Sequence, residues 1–257
     1  MTGLYFTAVN SASFLESLFA VLSSGLGALL AVSLNISHRH LCALISLAAG
    51  TLFAATAFHI LPESFHYLPV SAALGALISG YILFYLISRY VFHVCPACAA
   101  SHFDEHVASG FKSFAAVLAI ALGIHILMDG MAIATGHEFG RQANRSIFAT
   151  ITIHKFPEGM ALCALLFKAG FPKAKALMTT LSIESLTLVG WALGIFLLRD
   201  FAESSITYLL LAHIGGGFIY LAVHAVLSES KKHSPLFILS FFLIGMIVIG
   251  LGRWLVF

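Results

Sequence analysis

The chain has 257 residues, 60% of them apolar and only 9% Asp, Glu, Lys or Arg, where a soluble domain carries roughly 25% charged residues. That composition, with a mean hydropathy of +1.00, excludes an ordinary soluble domain, and 23 Phe beside so few charges exclude a disordered chain. Thirteen Lys and Arg against eleven Asp and Glu leave a formal charge of +2, far below the basic footprint of a nucleic-acid binder.

An integral membrane protein remains. A spanning helix takes roughly 20 mainly apolar residues, because the hydrocarbon core is about 30 Å thick. Eight segments qualify, over residues 14–34, 41–61, 69–92, 114–135, 147–167, 174–198, 206–227 and 235–257. Their apolar runs are continuous, without the period-two alternation of barrel strands, so the predicted fold is all-α. The first span holds Glu16 near one end, where a long side chain is expected to snorkel toward the surface. No Lys or Arg occurs in the first ten residues and no A-x-A-like site follows the first apolar run, so this span is expected to stay attached. The second closes on His59-Ile-Leu-Pro-Glu63. Between the third and fourth lies a loop with Cys95-x-x-Cys98 flanked by His93, His102 and His106, a spacing that permits tetrahedral metal capture. With only four Cys, two of them in spans (Cys42 and Cys163), no disulfide framework is predicted.

The central spans carry ionisable groups at membrane depth, where each is a functional candidate because burial in lipid is costly without a partner or water. His125 and Asp129 lie in the fourth span, His154, Lys155 and Glu158 in the fifth, and Glu184 in the sixth. Each His precedes its carboxylate by four residues, which puts both on one helical face about a turn apart. The two segments are near copies: Ile124-His-Ile-Leu-Met-Asp-Gly-Met-Ala-Ile133 aligns without a gap on Ile153-His-Lys-Phe-Pro-Glu-Gly-Met-Ala-Leu162. Internal symmetry with a Pro-interrupted helix is what a transporter substrate site uses, and Pro157 leaves the carbonyl of Ile153 without its usual partner.

Imidazole with carboxylate suits borderline divalent metals such as Zn, Fe, Mn, Co, Ni or Cd rather than copper(I), magnesium or calcium. Asp129, Glu158 and Glu184 less the charge of Lys155 leave minus two, which one divalent cation neutralises. Glu184 is read as a metal ligand or as the partner of Lys155. His59, Glu63, His213, His224 and Glu229, in and after the second and seventh spans, are candidates for the ends of a pathway or for a wet interface.

The remaining cations orient the chain. With the N-terminus outside, the inner loops hold Arg39, Arg89, Lys112, Lys168, Lys173, Lys175, Lys231 and Lys232, and the outer ones Arg141, Arg145, Arg199 and Arg253. Eight against four predicts both termini outside. The expected organisation is one eight-span domain over 1–257 with a cytoplasmic Cys/His loop at 93–112.

The pairing of His125-Ile-Leu-Met-Asp129-Gly with His154-Lys-Phe-Pro-Glu158-Gly resembles the fourth- and fifth-helix metal motifs of the ZIP (Zrt/Irt-like protein) divalent-metal transporters. The resemblance extends to the eight spans, the His-bearing loop, Ala-Gly-Thr through Glu63 in span two, and Gly-Gly-Gly-Phe-Ile-Tyr220 in span seven. It implies a 3+2+3 helix arrangement with an inverted repeat, a homodimer in the plasma (inner) membrane, and uptake toward the cytosol by alternating access. By motif position His125, Asp129, His154 and Glu158 match first-site ligands and Glu184 a second-site carboxylate. Two positions depart from the pattern. Ile126 stands where Asn is frequent and Lys155 where an acidic residue can occur, and neither an alkyl group nor an ammonium ligates a cation. The expectation is therefore a mononuclear site in which Lys155 supplies the second metal's charge. The loop residues His93, Cys95, Cys98, His102 and His106 are expected to receive or sense metal on the inner side.

No catalytic cofactor is expected; the metal, most plainly zinc but also Fe, Mn, Co or Cd by ligand type, is cargo. The alternative is an intramembrane zinc hydrolase, which needs an open coordination position and a general base. The zincin His-Glu-x-x-His pattern is absent, since Lys155 takes the place of its Glu and Glu158 that of its second His. A b-type haem protein would want facing His pairs without carboxylates, whereas both central His carry one.

Overall fold

The computed structural model describes residues 2–34, 38–91, 111–136, 140–168, 170–198, 205–231 and 233–255. His93, Cys95, Cys98, His102 and His106 lie outside them. The described residues are almost wholly helical, with no strand among them. In chain order come α1 (Thr2–Ser33), α2 (His38–Ala55), a π-turn (Thr56–Ile60), α3 (Leu61–Tyr67), α4 (Val70–Leu86) with a second π-turn (Ile87–Val91), α5 (Phe111–Gly136), α6 (Gly140–Lys168), α7 (Lys173–Glu184), α8 (Leu186–Leu198), α9 (Ser205–Ser230) and α10 (Pro235–Leu255).

α2, its π-turn and α3 run on as one rod, as do α7 and α8, so the described helices form eight rods, a number consistent with the expected spans. Five rods are long and apolar enough to cross a membrane, and Leu122–Gly136 and Pro235–Leu251 are shorter apolar helices. α6 falls in neither group because its polar residues, Lys155 and Glu158 among them, dilute its hydropathy.

Two departures from plain helix follow from single residues. Pro62 cannot donate to the carbonyl four residues earlier and its ring crowds that carbonyl; the π-turn at Thr56–Ile60 widens the helix just before it and carries His59. The sixth span, expected to be unbroken over 174–198, keeps its course but tightens for one turn at Ser185, directly after Glu184, where Leu188 N–H donates to the Ser185 carbonyl at 2.9 Å. The Ser185 hydroxyl donates to the carbonyl of Ser182 at 2.7 Å, competing with the helical ladder.

Four helix pairs make the body of the bundle: α1 with α6, α5 with α8, α2 with α10, and α4 with α9. Each is sealed by glycine on both partners. A Cβ at Gly159 would strike Ser24 of α1, and one at Gly27 the Phe156 carbonyl of α6. Gly130 and Gly190 relate α5 to α8 in the same way, Gly50 and Gly245 join α2 to α10, and Gly80 and Gly216 join α4 to α9. In lipid no hydrophobic gain drives helices together, so close backbone approach is what binds them. Exchanging the first three spans for the last three, and the fourth for the fifth, turns each pair into another, the pairing that the expected inverted repeat would give.

Burial separates inside from outside. Of the α2–α3 and α9 span windows 67% and 61% are buried, against 33% for α1, 22% for α4 and 28% for α7–α8. α2 packs on α6, α9 and α10, so α2, α9 and the motif-bearing α5 and α6 form the centre. Phe19, Leu22 and Leu26 of α1 and Ile78, Ile82 and Tyr85 of α4 face outward, as a lipid-facing surface requires.

Candidate metal centre

The centre forms where α5 meets α6. On α5, His125 Nε2 lies 3.6 Å from Asp129 Oδ2, one turn on; on α6, His154 Nε2 lies 3.9 Å from Glu158 Oε2. The two faces turn toward each other, so that His154 Nε2 is 3.3 Å from Asp129 Oδ2 and His125 Nε2 is 3.6 Å from Glu158 Oε1. One donor atom from each of the four residues falls within 4.8 Å of all the others, and all four side chains are buried.

The glycine after each carboxylate explains why both copies of the motif end alike. Gly130 faces α8 and Gly159 faces α1, which holds each motif helix against its neighbour while the ligand face one residue earlier points to the centre. Ser23 Oγ donates to the Thr152 carbonyl at 2.7 Å, a further tie between α1 and α6.

Proton placement at His154 can be derived. Its Nδ1 lies 3.0 Å from the carbonyl oxygen of Thr150, and a carbonyl only accepts, so Nδ1–H donates. In the neutral ring Nε2 then presents a lone pair, yet it faces the Asp129 carboxylate at 3.3 Å. Two acceptors so placed call for a cation between them, a proton or a metal. Asp129 Oδ1, Glu158 Oε1 and His125 Nδ1 are buried without hydrogen-bond partners, which adds to the demand for positive charge.

Lys155 partly meets that demand. Fully buried, its Nζ lies 2.9 Å from Asp129 Oδ2, 3.0 Å from Glu158 Oε2 and 3.0 Å from Glu184 Oε2. Glu184 thus reaches the centre through the ammonium and stands outside the group of four. Ile126 is fully buried, in an apolar cluster with Leu122, Leu162 and Leu166, and offers no donor atom. Aromatic rings close the surroundings: Phe84 stands 6.2 Å from the His125 ring and Phe218 6.2 Å from that of His154.

The outlying candidates are placed elsewhere. His59 is buried in the π-turn and Glu63 half-buried a turn later, and neither joins a group of three possible ligands among the described residues. His213 Nδ1 is hydrogen-bonded to Ser79 Oγ at 2.8 Å, linking α9 to α4, and His224 stacks on Tyr220 with centroids 5.4 Å apart. Glu16 accepts a hydrogen bond from Asn144 Nδ2 of α6 at 3.0 Å, a partner that the snorkelling expectation did not include. The Thr150 carbonyl was not singled out from sequence, where its one signal is that it stands one turn before His154, and Gly130 and Gly159 entered there only as the shared end of the two motif copies.

Comparison with known proteins follows the same lines. Residues 97–252 match the family model described as ZIP zinc transporter. The chain is 24% identical over 207 residues to zinc transporter YKE4 of Saccharomyces cerevisiae, a match covering 72% of this chain and 60% of the yeast protein. It is 30% identical over 118 residues to zinc transporter zipt-7.2 of Caenorhabditis elegans, covering 44% of this chain and 25% of the worm protein.

Proposed function

The chain belongs to the ZIP zinc transporter family, and from that premise we propose that it carries a divalent transition metal, zinc foremost, across a membrane toward the cytosol. The observation that carries this reading is the buried set of two imidazoles and two carboxylates on facing turns of α5 and α6. His125, Asp129, His154 and Glu158 bind one metal ion as cargo, and Lys155 holds the remaining carboxylate charge, Glu184 included, in place of a second ion. Neutral imidazole with carboxylate accepts zinc, iron, manganese, cobalt or cadmium, and geometry and availability decide among them as much as ligand type, so the central site is permissive. The protein performs no chemical step on its cargo. Alternating access, with α5 and α6 moving against their neighbours, a homodimeric assembly, a plasma-membrane location and outer termini complete the proposal.

Metal uptake into liposomes holding the purified protein tests it. Saturable flux of Zn2+ is expected for the unsubstituted chain, with His154→Ala and Glu158→Ala each reducing it to background. Flux that survives both substitutions would overturn the site assignment, and tight Zn2+ binding with no flux would overturn transport.

A further inference from the structure

Away from the centre, at the end of the bundle where α2 begins and α9 ends, a second group of donors converges from three segments. Cys42 stands in the second turn of α2, Glu229 near the last residue of α9, and His233 in the connection to α10. A sulfur, a carboxylate oxygen and a ring nitrogen from these residues lie within 4.8 Å of one another. Cys42 and Glu229 are fully buried. Neither oxygen of Glu229 has a hydrogen-bond partner, and no cation among the described residues lies within ion-pair distance of it. The guanidinium of Arg39, one turn before Cys42 on α2, lies over the Phe237 ring, 5.0 Å from its centroid. A buried carboxylate left in this state is costly, and the groups aimed at it are both metal donors.

We propose that Cys42, Glu229 and His233 form a second metal site, one for a thiophilic divalent cation of the Zn2+, Cd2+ or Co2+ class. Charge agrees with valence: thiolate and carboxylate carry two negative charges and imidazole none. On binding, the thiol S–H bond breaks, its proton leaves to solvent, and the sulfur–metal bond forms. Tetrahedral zinc, with bonds of about 2.0–2.3 Å, sets its donors roughly 3.3–3.8 Å apart, so a donor pair at the 4.8 Å limit closes by about 1.0–1.5 Å on binding. The His233 N–H donates to the Glu229 carbonyl at 3.0 Å, which keeps the ring over the end of α9. Three protein donors leave a fourth position open, and His233 is only half-buried, so the ion is exchangeable. The thiolate also makes this site select against Mn2+, which prefers oxygen donors, unlike the central one. Binding here stands apart from the transport reading; use of the site as a halt for metal leaving the centre rests on it.

Cobalt tests the proposal, because a thiolate ligand adds a charge-transfer absorption that His and carboxylate donors do not. In the protein with Cys95, Cys98 and Cys163 changed to Ser and the central site silenced by His154→Ala/Glu158→Ala, Co2+ titration is expected to raise that band to saturation at one equivalent. Cys42→Ser is expected to abolish it, and Glu229→Gln and His233→Ala each to weaken Co2+ binding by at least about tenfold. His233→Ala, on a half-exposed connection, keeps the test decisive where a change at buried Glu229 impairs folding. The band is expected to persist in His154→Ala/Glu158→Ala protein, so failure of the central reading and failure of this one are separable. Absence of the band when Cys42 is the sole cysteine, or a band indifferent to both Glu229→Gln and His233→Ala, overturns the proposal.

Discussion

Lys155 is the residue on which the centre turns. Its ammonium lies within 3.0 Å of three carboxylates, so replacing it leaves three buried anions together with no cation. Removing one partner of a buried ion pair costs about 3–5 kcal/mol. Lys155→Met is therefore expected to lower the melting temperature of the metal-free protein, and Zn2+ or Cd2+ to restore more of it than in the unsubstituted chain, because metal now meets the charge that the ammonium met. Equal metal-induced shifts in both proteins, read by thermal unfolding in detergent, would count against Lys155 as the substitute for a second ion. The imidazoles make a second prediction. Protons compete with metal for the same ring nitrogens, so affinity for Zn2+ falls as the medium is acidified from about pH 7.5 to about pH 5.5. Calorimetric titration checks it, and unchanged affinity across that interval would count against proton competition at these rings.

At the scale of elements, the paired glycines decide how the motif helices are held. A methyl group at Gly159 meets the backbone and hydroxyl of Ser24, and one at Gly130 the Thr187 carbonyl, so neither can be relieved by turning a side chain. Overpacking of this kind costs about 1–3 kcal/mol. Gly159→Ala and Gly130→Ala are expected to lose thermal stability and metal uptake together. Gly75→Ala in α4, where nothing lies within 4 Å, leaves both intact. The π-turn before Pro62 and the tightened turn at Ser185 belong to this scale as well. A hydropathy run locates a span but is blind to a widened turn inside it, which is why the second and sixth spans were legible only as uninterrupted helices.

For the molecule as a whole, outward faces of α1 and α4 replace the polar surface of a soluble protein. Leu22 is 53% exposed near the middle of α1, so Leu22→Lys places a charge against hydrocarbon at a cost of about 2.5–3.5 kcal/mol. The yield of membrane-inserted, monodisperse protein is expected to fall for Leu22→Lys and to hold for Leu22→Phe; equal yields would mean that this face is covered by protein instead.

Composition and continuous apolar runs determined by themselves that this chain is an all-helical membrane protein, because the bilayer accepts few backbone solutions. Four-residue spacing placed His125 with Asp129 and His154 with Glu158, because a helix brings such pairs onto one face whatever surrounds it. Their meeting across α5 and α6, the position of Lys155 among three carboxylates, and the convergence of Cys42, Glu229 and His233 from segments nearly two hundred residues apart in sequence were decided only by tertiary structure. Those contacts depend on which helices pack together, and the small residues that set the packing leave no periodic signal of their own.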